Sequence, residues 1–348
     1  MTEGSDIPSS PCTFNKNGKE CKILVRSWSR MALAFSPKRK LVQQLPVDIR
    51  PPKAILLQWI GTVMQSEAQY AVQREESCKM ARLFKQKQIR TYVLKGTVVS
   101  ECYPNPSHRN SVDLDCFILS ENGQVNIWEK GNTLIEDAGY GVKRDHYKNS
   151  TFFLPGLTVE NHRFLIPFRG NKKLTELERV IESLIYADKG ENRFDDTWLC
   201  RPPVMVSAIF LIEHAYSHFL HEGLTWRHIL DWMMFSKKRR DEIDWDQLDN
   251  WINEFGFRKF YDSFFNLGQF LLGVITEAEL SSVDKLMLAD VWTDLDLHDS
   301  VRGLKGKMAL AGNTWRARWK YKTFSEISMT RALWIQIKGF LFMKNPSL

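Results

Sequence analysis

Leu94-Lys95-Gly96-Thr97 and, further along, Val112-Asp113-Leu114-Asp115-Cys116-Phe117-Ile118 are the two stretches whose reading decides the fold. Thr91, Tyr92, Val93 and Leu94 form a β-prone run that stops at Lys95-Gly96-Thr97, a strand ending in a glycine turn. In the second stretch apolar residues surround two aspartates, and strand alternation puts Asp113 and Asp115 on one face. Side chains two positions apart on a strand are separated by roughly 7 Å, so their oxygens can converge on hard cations. The expected cation is Mg2+, with Mn2+ as a substitute.

Phe152 to Leu154, the turn Pro155-Gly156, and Leu157 to Phe164 read as a hairpin whose second strand carries Glu160 and His162 on a shared face. Placed beside the Asp113-Asp115 strand, Glu160 completes a three-carboxylate cluster. Such a cluster is of the sort that clamps the attacking and leaving oxygens in two-metal phosphoryl or nucleotidyl transfer. Burying three carboxylates without a cation would be very costly. The glycine turn has its own chemistry: with no Cβ at Gly96, backbone N–H groups can approach phosphate oxygens. Thr97 adds a hydroxyl and Lys95 a charge. Lys95 and Arg109 are the candidates to offset charge on a triphosphate.

The order Leu94-Lys95-Gly96-Thr97, Tyr103-Pro104-Asn105-Pro106, Arg109 and Asp113-Leu114-Asp115 resembles the uncharacterised bacterial nucleotidyltransferase family of the polymerase-beta-like superfamily. The Glu160-Asn161-His162 strand matches it too, as does the His214 and His218 pair followed by Arg227 and Asp231. The resemblance spans roughly residues 55 to 340. It implies an α+β fold, a small mixed nucleotidyltransferase sheet flanked by helices with a helical C-terminal domain. Gly96 and Thr97 would hold a nucleoside triphosphate, and Asp113, Asp115 and Glu160 the metal. The superfamily turn is usually Gly-Gly or Gly-Ser, whereas here it is Gly96-Thr97, which keeps the hydroxyl and adds a methyl. The implied reaction moves NMP from an NTP to an acceptor with release of pyrophosphate.

Outward from these strands the chain reads as helical. Ile55, Leu56, Trp59, Ile60 and Val63 recur at helical spacing, with further turns from Ala71 to Lys87. Asn122-Gly123 reads as a turn, Val125 to Trp128 as a strand, and Asn132 to Ala138 as a helix closed by Gly139. After Leu174 every element is expected to be helical, beginning with the apolar run opened by Pro202-Pro203. These patterns divide the chain into a loosely ordered leader at 1–45, a nucleotidyltransferase core with N-terminal helices at 46–170, and a helical domain at 171–348.

In that last part His214 and His218 stand at i and i+4 and face one way, as candidates for an acceptor pocket with His162. Glu213 precedes His214 and so does not complete a zinc-hydrolase His-Glu-x-x-His; helix packing or capping is the plain alternative. Arg227 and Asp231 share the same spacing and suggest a supporting ion pair. His146, in a polar run, is a weaker site candidate. Trp226, Trp232, Trp245 and Trp251 read as core, and Lys237-Lys238-Arg239-Arg240 as a solvated run.

Composition sets the outer limits. The chain has 348 residues, 43% hydrophobic and 26% charged, enough apolar material for a substantial core. Its six cysteines include no Cys-x-x-Cys pair, which argues against a disulfide framework or a zinc ribbon. The apolar run from Val204 to Leu220 is interrupted by Glu213, His214 and His218, so no transmembrane segment is expected, and with no secretory signal the protein reads as cytoplasmic. Of the net charge of +7, the segment from Val301 onward carries ten Lys and Arg against Glu326 alone. That segment, with Trp315, Trp319 and Trp334, either meets a nucleic acid, a polyphosphate or an anionic surface, or is the solvated face of a helix. The expected partners are a nucleoside triphosphate and an acceptor of unspecified class: small molecule, protein or RNA. A nucleotide-binding or RNA-interacting protein without turnover is the alternative.

Overall fold

The computed structural model describes residues 53–109, 111–122, 127–144, 147–166, 171–195, 197–221, 223–297 and 318–334. The leader expected at 1–45, Gly123, Val125, His146, the stretch 301–317 with Trp315, and everything after Trp334 lie outside the described residues.

A single 34-residue helix, α1 (Lys53–Gln86), leads into the sheet. Its C-terminal half buries Met80, Ala81 and Phe84, while Leu57, Ile60 and Met64 near its start are exposed. Strand β1 (Ile89–Val93) follows and ends at the glycine turn, from which the short helix α2 (Thr97–Ser100) departs. Strand β2 (Asp113–Ser120) carries the two aspartates. Helix α3 (Ile127–Asp137) then leads to β3 (Gly141–Lys143), β4 (Asn149–Leu154) and β5 (Leu157–His162). The sheet runs β3-β4-β5-β2-β1-β6, with β6 (Leu199–Cys200) at one edge. The β2–β5 and β1–β6 pairs are parallel and the others antiparallel, so the sheet is mixed.

Beyond the sheet stand α4 (Lys172–Ala187), α5 (Val204–His221), α6 (Trp226–Lys238), α7 (Trp245–Glu254), α8 (Arg258–Leu271), α9 (Ser282–Leu297) and α10 (Arg318–Phe324). None of the described helices is long and apolar enough to cross a membrane.

The alternation of β2 sorts its residues between two cores. Leu114, Cys116 and Ile118 join Met80 and Phe84 of α1 and Ile135 of α3 on one face. Phe117 and Leu119 join Tyr92 and the C-terminal helices on the other, in one continuous cluster reaching Phe219, Trp232 and Phe260. Each such aromatic or aliphatic side chain contributes roughly 1.5–3 kcal/mol on burial. α3 can seat this closely because Gly131 faces the sheet: a Cβ there would lie 2.3 Å from Ile118 Cδ1. Buried Ser150 Oγ and Asn161 Nδ2 both donate to Asn132 Oδ1, at 2.6 and 3.2 Å, tying α3 to β4 and β5.

Three expectations are corrected. Trp128 lies in α3 rather than on a strand, its indole N–H donating to the Asn161 carbonyl at 2.9 Å; a short apolar run has the same local pattern in either state. The C-terminal half is not helical throughout, since β6 adds to β1, and two residues are too few to show a period. Trp226, Trp232 and Trp251 are core, whereas Trp245 is 40% exposed, with its N–H on the Arg240 carbonyl.

Two carboxyls are sealed between helices and sheet. Glu178 of α4 accepts the backbone N–H groups of Leu165 and Ile166, at 2.8 and 2.6 Å, and burial pushes its pKa up to about 8. Burial raises Glu213 of α5 to about 7. A carboxyl with a folded pKa above its unfolded one favours the folded state below the unfolded value, and that contribution disappears as pH rises through the folded value. Stability from these two groups is therefore full below about 4.5 and lost between there and about 7 to 8. Urea denaturation across that window should show a falling midpoint, and Glu213→Gln should flatten the fall; a wild-type midpoint unchanged across the window would contradict the account.

Candidate active site

β2 and β5 run parallel with Asp113 opposite Thr158, Asp115 opposite Glu160 and Phe117 opposite His162. Partners in register on neighbouring strands point to the same side of a sheet, so Asp113, Asp115, Glu160 and His162 share the face that looks toward α5. His162 Nε2 donates to Asp115 Oδ1 at 2.9 Å and stands 3.9 Å from Glu160 Oε2. Ligand atoms of Asp115, Glu160 and His162 all lie within 4.8 Å of one another. Asp113 is on the same face, outside that tight group and half-buried.

The electrostatics follow from this crowding. Burial alone would raise Asp115, but the His162 hydrogen bond and the Lys95 charge outweigh it and hold its carboxyl well below the usual range. Glu160 is pushed the other way, first by burial and then by the charge of Asp115 beside it. Neighbouring carboxylates whose repulsion raises one of them form a donor set that a divalent cation would relieve. The residues present therefore fit the metal expected from the sequence through the oxygens of Asp115 and Glu160, while His162, donating from Nε2 to Asp115, holds that carboxylate in place.

The glycine turn is braced from behind. Gly96 has φ +76°, a conformation that favours glycine, and a Cβ there would press on Leu114 Cδ1 at 3.2 Å. Its carbonyl accepts the Ser100 N–H and hydroxyl, at 2.9 and 3.0 Å, and Arg109 Nη1 at 3.3 Å. Arg109 is buried and forms a two-pronged pair with Asp231 of α6, Nε to Oδ1 and Nη2 to Oδ2, both at 2.8 Å. Tyr103 donates to the same Oδ1 at 2.7 Å. Asp231 thus serves Arg109 and Tyr103, and the helix-internal Arg227–Asp231 pair expected from spacing is replaced by a long-range one.

Lys95, buried at the end of β1, donates from Nζ to His214 Nε2 at 2.6 Å. Burial lowers its pKa against the opposing pull of Asp115. His214 stacks on Phe210, which meets His162 edge-on, so α5 touches both the carboxylate group and Lys95. Ligand atoms of His214, His218 and His228 also fall within 4.8 Å of one another. A metal fits poorly there, because the Thr225 N–H donates to His228 Nδ1 at 3.3 Å. The neutral ring then carries its proton on Nε2, which leaves no lone pair facing the cluster.

Thr97 and Asp113 border a recess on the other side of the turn, lined also by Tyr70, Gln73 and Arg74 of α1 and by Ser111. The structure thus brings Lys95, Arg109, Asp115, Glu160, His162 and His214 to one place, with Gly96, Thr97 and Asp113 at its edge. His228, Tyr103 and the α1 residues were not singled out as site residues by spacing. For His228 the only available signal was its position three residues after Thr225, which reads as capping.

A family model described as uncharacterised nucleotidyltransferase matches residues 39–273, and the chain belongs to that family. No curated protein and no solved structure matches the chain.

Removing one partner of a buried ion pair leaves an uncompensated charge, which typically costs about 3–5 kcal/mol. Asp231→Asn keeps the shape of the side chain and strands Arg109. It should lower stability by about that amount in urea denaturation; a loss within about 0.5 kcal/mol would show that the pair does not brace the turn.

Proposed function

We propose that this nucleotidyltransferase moves NMP from a nucleoside triphosphate to an acceptor hydroxyl or phosphate, using the β2–β5 carboxylates. The observation that carries this reading is the in-register pairing of Asp115 with Glu160, with His162 bonded to Asp115 and Glu160 raised by its neighbour. Asp113, Asp115 and Glu160 would hold Mg2+ or Mn2+. When bound, such an ion offsets charge on the phosphates and makes the acceptor oxygen more acidic.

Gly96 and Thr97 bind the triphosphate through backbone N–H groups and a hydroxyl, in the conformation that Gly96 alone allows. The acceptor oxygen attacks the α-phosphorus in line, its proton passes to the Glu160 carboxylate, and the bond to the bridging oxygen breaks to release pyrophosphate. His162 fixes the rotamer of Asp115 and is a positioning residue. Arg109 acts through the Gly96 carbonyl and Asp231, which supports a bracing role rather than a direct hold on the triphosphate.

Within the basic C-terminal segment, Lys320 is buried and donates to the Phe219 carbonyl at 2.9 Å, so that charge belongs to packing rather than to a nucleic-acid surface.

Calorimetric titration of each nucleoside triphosphate, with and without magnesium, tests the reading. Wild type should bind at least one triphosphate only with magnesium, and Asp113→Ala plus Asp115→Ala should weaken that by about a hundredfold or more, the scale of two lost charge-bearing contacts. Equal binding by both proteins, or none by either, would remove the metal assignment and favour a fold without turnover.

A further inference from the structure

The first turn of α6 holds two hydrogen-bond donors without acceptors among the described residues. His228 is 6% exposed, and its Nε2 has no partner there. The Thr225 N–H occupies Nδ1, so Nε2 bears the proton and is a buried donor. Burial and the charges of Lys95 and Arg227 hold this ring well below the usual histidine range and keep it neutral. The adjacent Arg227 has its Nε enclosed and equally unpartnered. A buried donor left unmade costs about 1–3 kcal/mol, more for a charged group, and two in successive residues call for a common explanation.

Charge points the same way. Arg109 is answered by both oxygens of Asp231, and Asp115 by His162. Lys95 has the neutral ring of His214 as its hydrogen-bond partner, and it and Arg227 feel Asp231, and Lys95 also Asp115, without forming an ion pair with either among the described residues. The His228 ring lies 5.8 Å from that of His214 and 4.8 Å from that of His218, so Lys95, His214 and the α6 turn form one cluster. Two cations and a buried N–H donor, at the positive end of a 13-residue helix, make a receptor for an anion.

We propose that Arg227, His228 and Lys95 bind a phosphate group of the acceptor. The donors are those a phosphate takes: a guanidinium N–H, an ammonium and an imidazole N–H. The triphosphate is the other source of such a group, but the Gly96 carbonyl accepts from Arg109, so the turn shows an acceptor toward the Arg109–Asp231 pair and α6. A phosphate held by the N–H groups of the turn lies elsewhere. Assigning the anion to the acceptor rests on the transfer reading above; the anion site itself does not.

Inorganic phosphate titrated calorimetrically into the full chain at neutral pH, without magnesium, tests the site. Saturable binding is expected, and Arg227→Met or His228→Leu should weaken it about tenfold or more, the loss of one charge-assisted or buried hydrogen bond. His228→Gln, which returns an N–H donor, should bind close to wild type, and melting temperatures identify any variant that fails to fold. Asp113→Asn plus Asp115→Asn should still bind phosphate, at least as tightly as wild type because a negative charge near Lys95 is removed, so that failure of the metal reading stays separate. Phosphate should still bind with magnesium and a non-hydrolysable triphosphate present, and displacement by that triphosphate would overturn the assignment to the acceptor. No binding by wild type, or equal binding by Arg227→Met, would overturn the site.

Discussion

Parallel strands in register bring their partner residues to roughly 4.8 Å, whatever those residues are. In β2 and β5 the partners are Asp115 and Glu160, and the helices of the C-terminal half cover that face of the sheet. Like charges held this close in a partly dry setting repel strongly. Asp115 stays ionised through His162 and Lys95, while Glu160 takes the strain as a raised pKa. Much of the surrounding arrangement can be understood as managing that repulsion, and a cation entering the site would find the opposing charge already assembled.

The cationic side of the cleft is built by the same economy of partners. Arg109 is spent on Asp231, and this pair joins the loop after α2 to α6 while Arg109 also holds the Gly96 carbonyl. A mutation at Asp231, far along the chain, would thus reach the glycine turn directly. Lys95 and Arg227 are left less fully answered, and they share their neighbourhood with His228.

The strands were the most legible part. Thr91 to Val93 and the Asp113 to Ile118 run have strong β propensity, and they fold as strands, with Leu94 just past the end of the first. The hairpin at Pro155-Gly156 was equally plain, because its turn chemistry is local. Trp128 and β6 were not legible, since a run of four residues or of two leaves no period to measure.

For the site, sequence alone determined which side chains share a strand face, because alternation is a property of the backbone: Asp113 with Asp115, and Glu160 with His162. It also marked Gly96 as the turn at which a strand stops, and there the backbone has φ +76°. Only the tertiary structure decided that Asp115 meets Glu160, that Arg109 takes Asp231 from Arg227, and that Lys95 meets His214. Strand order and helix docking are set by the sum of many weak apolar contacts across the whole chain, and no local spacing encodes that sum.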